Sequence, residues 1–261
     1  VEIIRLVPIA SEALTAVLIY QTLNVYIALM PQMSVVLRNL DNGAVDFFQD
    51  VTIRKALMTA LNRPWMIAEA LDGQGIVADS PILPGSWAYY DGVQTFAYNE
   101  QAALDALRVN GWVIPAEGGS VRAKDGVRLS FELVYPDTLV HARLATLIQE
   151  YWAAIGVDVD LVVVDYETLI TDYLEPRDYE AALVDLNLSG SPDPDPYPFW
   201  HQSQAAAGQN YSQWNDRRGS EYLESARVTP NHQTRVRLYR NFQVHFTREL
   251  PALPLFYPVY N

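Results

Sequence analysis

Residues Ala181 to Trp200 read AALVDLNLSGSPDPDPYPFW, an apolar run that ends in a Ser/Gly turn, a doubled Asp-Pro and a cluster of aromatic rings. The apolar run has the length of a buried strand, and the turn residues mark where it stops. Each Asp-Pro pair disfavours helix at the residue before proline and keeps the chain extended. The expectation is a stiff loop at a strand end, with Asp193 and Asp195 beside Tyr197, Phe199 and Trp200. Open α/β folds place ligands at such loops, outside the carboxyl ends of strands. The competing reading is a Pro-rich surface turn capped by solvated aspartates.

The flanking chain says what kind of sheet that strand enters. Val127, Leu129, Phe131, Leu133 and Tyr135 alternate with mostly polar residues and read as one strand with a single apolar face. Leu139 to Ile155 is helical in pattern and stops at Gly156, Val157 to Asp165 is a strand, Thr168 to Leu174 a short helix, and Tyr179 to Leu188 a strand. Strand, helix, strand, helix, strand is the alternation of an α/β domain. Upstream, Glu2 to Pro8 reads as a strand, Ser11 to about Gln21 as a helix, Leu23 to Tyr26 and Met33 to Asn39 as strands. Asp50 caps a helix running from Val51 toward Leu71, with Ile53, Leu57, Ala60 and Leu61 on its buried face and a break near Asn62 imposed by Pro64. Residues 73 to 92 form a long irregular segment. Asn99 opens a helix to Val109, stopped by Gly111, and two further helices span Asn215 to Arg227 and Asn231 to Leu250. Leu255 to Tyr260 closes the chain as a strand.

Composition excludes several functions. Half of the 261 residues are apolar, enough for a sizeable core in one large domain or two small ones. A formal net charge of −13 without a basic stripe argues against nucleic acid as a partner. With no cysteine there are no disulfides, no thiolate chemistry and no cysteine-ligated metal. The opening VEIIRL lacks the basic and apolar regions of a signal peptide. From Ala13 to Leu37 no residue is charged, a span long enough for a bilayer. Gln21, Thr22, Asn24 and Pro31 interrupt it, so buried structure is expected there rather than a transmembrane helix.

No catalytic or metal motif accompanies the aspartates. His141, His201, His232 and His245 form no HExxH pattern, and His141 and His245 are placed on helix faces rather than in sites. There is no GxSxG elbow and no phosphate-cradling glycine loop. Asp193 and Asp195 are one proline apart on one segment, whereas glycosidase acids flank their substrate from two sides. A hydrolase is therefore the weaker reading. No enzyme activity, metal or cofactor is expected.

The order of motifs carries a family resemblance. FFQDVTIRKALMTALNR (Phe47 to Arg63), GQGIVADSPILPGSWAY (Gly73 to Tyr89), AYNEQAALDALRVNGW (Ala97 to Trp112) and LSFELVYP (Leu129 to Pro136) come first. LATLIQEYWAAIGVDVDLVVVD (Leu144 to Asp165), DYEAALVDL (Asp178 to Leu186), DPDPYPFW (Asp193 to Trp200), NYSQWND (Asn210 to Asp216) and RLYRNFQVHFTRELPALPLFY (Arg237 to Tyr257) follow. This series, covering about four-fifths of the chain, resembles the oligopeptide/dipeptide-type (family 5) extracellular solute-binding proteins of ABC importers. The resemblance implies a two-lobed clamp that traps solute and delivers it to a membrane permease. It implies a periplasmic-binding-protein-like lobe, a mixed sheet flanked by helices. Residues 1–40 would be a remnant of the inter-lobe or N-terminal region, and 41–261 the C-terminal ligand-binding lobe of a longer protein. That protein would be monomeric, periplasmic or extracellular, and membrane-associated if lipid-anchored.

In that frame Asn187, Ser189, Gly190 and Ser191 would line the cleft, with Asp193 and Asp195 shaping the loop or meeting a cation. Trp87, Tyr197, Trp200, Tyr211 and Trp214 would form apolar walls or else pack the core, while Asn39 and Asn210 sit near hinge and cleft or satisfy backbone groups. One departure bears on ligand. Peptide-binding members resemble one another in an Asp about three residues before the Asp-Pro pair, which holds the peptide amino group, and that position here is Gly190. Asp193 or Asp185 is the alternative partner for an amine, and otherwise the family's nickel complexes, sugars, haem or opines become candidates. A sensor or docking lobe is a third reading.

Overall fold

The computed structural model describes residues 31–37, 45–187 and 193–259. The expected elements before Pro31, together with Asn39, Ser189, Gly190 and Ser191, lie outside the described residues. Strand β1 (Pro31–Leu37) is followed by helices α1 (Val51–Thr59) and α2 (Arg63–Leu71). The break between them falls where Pro64 requires it: Asn62 caps α2 by accepting from the Trp65 N–H at 3.2 Å, and Asp50 caps α1 through Thr52. Strand β2 (Gly75–Val77) lies in the irregular segment, and helix α3 (Glu100–Val109) opens on Asn99 as its cap.

The long strand expected from Val127 divides. A hairpin of β3 (Ala123–Lys124) and β4 (Val127–Arg128) turns through Asp125 and Gly126, both at positive φ, and leaves Val127 55% exposed. The sheet strand proper is β5 (Ser130–Pro136). Alternation alone does not register that Val127 pairs with Lys124 in a hairpin beside the sheet, while Leu129, two residues on, is buried in the core. Helix α4 (Leu139–Ala154) and strand β6 (Asp158–Val164) come next, with Gly156 at φ +83° between them. A Cβ at Gly156 would approach Arg122 Cγ to 2.8 Å, so this turn requires glycine. Tyr166–Thr168 and a π-helical turn, Leu169–Leu174, lead to β7 (Ala181–Asn187). Helices α5 (Tyr197–Trp200), α6 (Arg217–Val228) and α7 (His232–Glu249) precede β8 (Ala252–Pro258), which starts three residues earlier than the sequence suggests.

Six strands form one mixed sheet in the order β2-β8-β1-β7-β5-β6. β7, β5 and β6 are parallel neighbours; β1 runs antiparallel to β7 and β8, and β2 antiparallel to β8. Both faces are covered. Phe131, Leu133, Ala181, Leu183, Leu253 and Leu255 point to a core shared with α1, α2 and α4. Val134, Ala182, Val184 and Leu186 point to a second core shared with α6 and α7. This explains why β7 is apolar on both sides. Trp152 anchors the first core, fully buried, its Nε1–H donating to the Leu57 carbonyl at 3.0 Å. Among the described residues no helix is long and apolar enough to cross a membrane.

Buried polar side chains tie the irregular segments to this frame. Gln243 on α7 accepts from Ser80 Oγ and Tyr90 N–H and donates to the Ala88 carbonyl, which pins residues 80–90. Arg63 donates to the carbonyls of Ala78, Phe96 and Pro254 and pairs with Asp79 at 2.8 Å. Removing that guanidinium strands three carbonyls in a dry site. Arg63→Ala is therefore expected to lower stability by about 3 kcal/mol or more. Urea denaturation checks it, and a loss under about 1 kcal/mol would contradict the assignment.

Candidate functional site

Two crossovers leave the parallel strands in opposite directions. β5 connects to β6 through α4 on one face, and β6 returns past β5 to β7 through residues 166–180, whose Leu169, Leu174 and Tyr179 are buried on the other face. The strand order 6-5-7 therefore reverses between β5 and β7. Such a reversal opens a crevice at the carboxyl ends of the strands, where open α/β sheets take ligands. The ladder agrees: β5 pairs with β7 only at Leu133–Ala181 and Val134–Ala182, while β7 continues to Asn187 along β1 alone.

Four side chains converge at that edge. Thr138 caps α4, its Oγ1 accepting from the His141 N–H at 3.2 Å and lying 2.7 Å from His141 Nδ1. His141 Nε2 lies 3.2 Å from Asp185 Oδ2, and the Tyr166 hydroxyl donates to the same oxygen at 2.7 Å. His141 Nε2, although close to Asp185 Oδ2, makes no hydrogen bond among the described residues. His141 is thus buried on its helix, beside Asp185 of β7. His245 departs from the expectation in the same way, with Nε2 2.8 Å from Asp216 Oδ1 beneath the Trp214 ring. Helical periodicity places both residues on a face but does not reveal the aspartate that a different element brings to it.

The Asp-Pro segment lies on the α6–α7 side. Asp193 Oδ2 meets Arg235 at 2.6 Å, and Asp195 Oδ2 meets Arg227 at 2.8 Å while its other oxygen accepts from the Tyr197 N–H. Arg227 lies over the Tyr197 ring, centroid distance 4.1 Å, and that ring stacks on His201. Arg235 lies over Trp87, which also contacts His232 and Tyr239. Residues 193–197 are therefore clamped to two helices by ion pairs and a cation–π contact. Arg227 and Arg235 read in sequence as ordinary solvated helix arginines, and nothing local marks them.

The rings that the sequence groups together fall into two classes. Trp87, Tyr197 and Tyr211 are half-buried; Trp200 and Trp214 are buried against Phe246 in the second core. Tyr211 carries Arg177 over its ring, and its carbonyl accepts from the Tyr179 hydroxyl. Asn210 is fully buried and satisfies backbone groups, donating to the carbonyls of His201 and Trp214 and accepting from the Trp214 N–H. Asn187 ends β7 one pleat beyond Asp185. Among the described residues no three His, Asp or Glu side chains gather as a metal would require. A separate hollow bordered by Asp46, Asp50, Trp112 and Arg128 lies at the opposite, amino end of β5.

Burial, and then the carboxylates of Asp195 and Asp193, push the Tyr239 phenol up from 10.0 to about 12. The unfolded phenol ionises near 10, so this contribution is fully present below that pH and is lost as pH rises through about 12. Tyr239→Phe is expected to flatten the alkaline decline in stability between about pH 10 and 12, measured by urea midpoints. An unchanged pH profile would contradict it.

Residues 7–209 match the model of the bacterial extracellular solute-binding proteins, family 5. The oligopeptide-binding protein AppA of Bacillus subtilis is 30% identical over 221 residues, 83% of this chain and 40% of the relative. The chain thus spans about two-fifths of that relative's length. The solved structure of AppA from Bacillus subtilis with a nonapeptide superposes with a TM-score of 0.80 at 27% identity, covering 88% of this chain and 45% of that one. NikZ of Campylobacter jejuni, solved with Ni(L-His), superposes with a TM-score of 0.76 at 25% identity, covering 87% and 45%.

Proposed function

Because the chain belongs to the family 5 bacterial extracellular solute-binding proteins, we propose that it supplies one lobe of a solute trap serving an ABC importer. The observation that carries this reading is the reversal of strand order between β5 and β7, near Asp193 and Asp195, each of which is paired with an arginine. A preformed surface of this kind lowers the ordering cost of binding. Solute bridging this lobe and its partner lobe would stabilise the closed form, because only that form makes both sets of contacts.

Residues 41–261 form the lobe in this reading, and β1 enters its sheet from the preceding segment. Asn187, Ser189, Gly190 and Ser191 line the cleft with backbone and short polar groups, and Asn39 lies near the hinge. Asp193 and Asp195 shape the loop rather than touch solute, since each already meets an arginine. Trp87, Tyr197 and Tyr211 offer exposed ring surface to it, whereas Trp200 supports the loop from beneath. The protein acts outside the cytoplasm as a monomer, delivering solute to a permease, without catalysis or nucleic acid, and held at the membrane where it is lipid-anchored.

The solute proposed first is a peptide, as in the oligopeptide-binding relative. Gly190 in place of a carboxylate, together with the similarity to NikZ, supports a non-peptide solute as the second reading. Native mass spectrometry of the full-length protein, purified without denaturant, separates them. A ladder of co-purified peptides is expected. A single non-peptide mass would favour the second reading. No retained solute, with no compaction by small-angle scattering on adding mixed peptides, would refute the solute-trap assignment.

A further inference from the structure

We propose that the solvent face of α6 and α7 docks on an anionic phospholipid surface. The inference goes beyond the solute-binding reading and does not depend on which solute the lobe holds. It starts from where the chain keeps its positive charge. The net charge is −13, yet seven of the 18 basic residues and only two of the 31 acidic ones fall between Arg217 and Arg248. All seven are arginines.

The fold gathers them on one side. His245 beside Asp216 at one end, and Arg235 Nε–H donating to the Ala226 carbonyl at the other, hold α6 and α7 as an antiparallel pair. Tyr239, Phe242 and Phe246 face inward, so Gln233, Arg237, Arg240, Val244 and Arg248 share the exposed stripe of α7. Arg217 and Arg218 open α6 at the end of the pair where α7 finishes. Four of the seven arginines have a carboxylate: Arg217 meets Glu221, Arg227 meets Asp195, Arg235 meets Asp193 and Arg248 meets Glu249. Arg218, Arg237 and Arg240 make no ion pair among the described residues. Arg218 donates to the Tyr222 hydroxyl at 3.1 Å, Arg237 donates to Thr234 Oγ1 at 3.2 Å, and Arg240 lies over the Tyr90 ring at 4.3 Å. The acids near Arg218, Asp216 and Glu249, are already held by His245 and Arg248.

Charge and shape choose the occupant. The face is the outside of a helix pair, and its arginines extend about 16 Å along α7 from Arg237 to Arg248. It therefore suits an extended anionic surface rather than a small anion. Phosphate groups offer the planar, bidentate acceptors that the three unpaired guanidinium forks lack. Val244, 44% exposed within the stripe, adds the apolar contact that interfacial helices make with lipid. The net negative charge of the chain does not oppose this docking, because charges on the far side of the lobe lie beyond the screening length of about 8 Å at physiological ionic strength.

Cosedimentation of the full-length protein, prepared without lipidation, tests this with vesicles of equimolar phosphatidylglycerol and phosphatidylcholine, and with pure phosphatidylcholine vesicles. Wild type is expected to sediment with the anionic vesicles alone and to be released as salt is raised to about 0.5 M. Arg218→Gln, Arg237→Gln and Arg240→Gln combined should weaken the partition about a hundredfold with an unchanged melting temperature, at about fivefold for each arginine. Arg108→Gln, Arg128→Gln and Arg143→Gln combined change the net charge equally, at arginines that are ion-paired on other surfaces. That control should stay within about twofold of wild type. Arg237→Gln alone, expected to cost about fivefold, carries the test if the first triple variant does not fold. No sedimentation with anionic vesicles, or equal weakening by the two triple variants, would overturn the proposal. Capture by polyglutamate with none by vesicles would also overturn it and assign the face to an acidic protein.

Discussion

Strand β7 has no solvent face, and the rest of the architecture follows from keeping it covered. One side of Ala181, Leu183 and their neighbours packs against α1, α2 and α4, and the other side of Ala182, Val184 and Leu186 packs against α6 and α7. A strand buried on both faces needs helices on both faces, so the two crossovers around β5 diverge. Their divergence reverses the strand order between β5 and β7 at the carboxyl edge. The candidate site is therefore a consequence of how the sheet is covered and not an addition to it.

Guanidinium groups do much of the work of holding loops to this frame. Arg54 bonds the carbonyls of Gln49, Glu249 and Leu250, satisfying the end of α7, whose last carbonyls have no helical partner. Arg63 gathers carbonyls from three separate segments, and Arg177 those of Leu174, Ala205 and Gly208. Burial lowers the Arg54 and Arg63 pKa values, offset in part by Glu249 and Asp50 for the first and by Asp79 for the second. A planar fork of five donors suits such convergence where a lysine would not. The same chemistry at lower burial, Arg227 and Arg235 on the aspartates, ties residues 193–195 to α6 and α7.

Much of the fold is legible in the sequence because its signals are local. Caps at Asp50, Asn62, Asn99 and Asn231 each accept the expected backbone N–H, and Gly156 stops α4 where a side chain would collide. The candidate site is less legible. Asp193 and Asp195 are conspicuous beside their prolines, yet their partners lie on helices about thirty to forty residues away. Trp87 and Trp200 are the same residue type in similar aromatic surroundings, and only packing makes one half-buried and the other core. His141 and Tyr166 carry no motif, and they matter because α4 and the end of β6 deliver them to Asp185.

The sequence by itself determined most of the described helices and their caps, the α/β alternation from Leu129 to Leu186, and the family. These rest on periodicity, caps and backbone restriction, which act within a few residues. Tertiary structure alone decided the strand order, the hairpin that takes Val127 out of the sheet, the pairing of each aspartate with its arginine, and the convergence of Thr138, His141, Tyr166 and Asp185. Those depend on contacts between segments distant in the chain, where burial and charge compensation, not local propensity, select the partner.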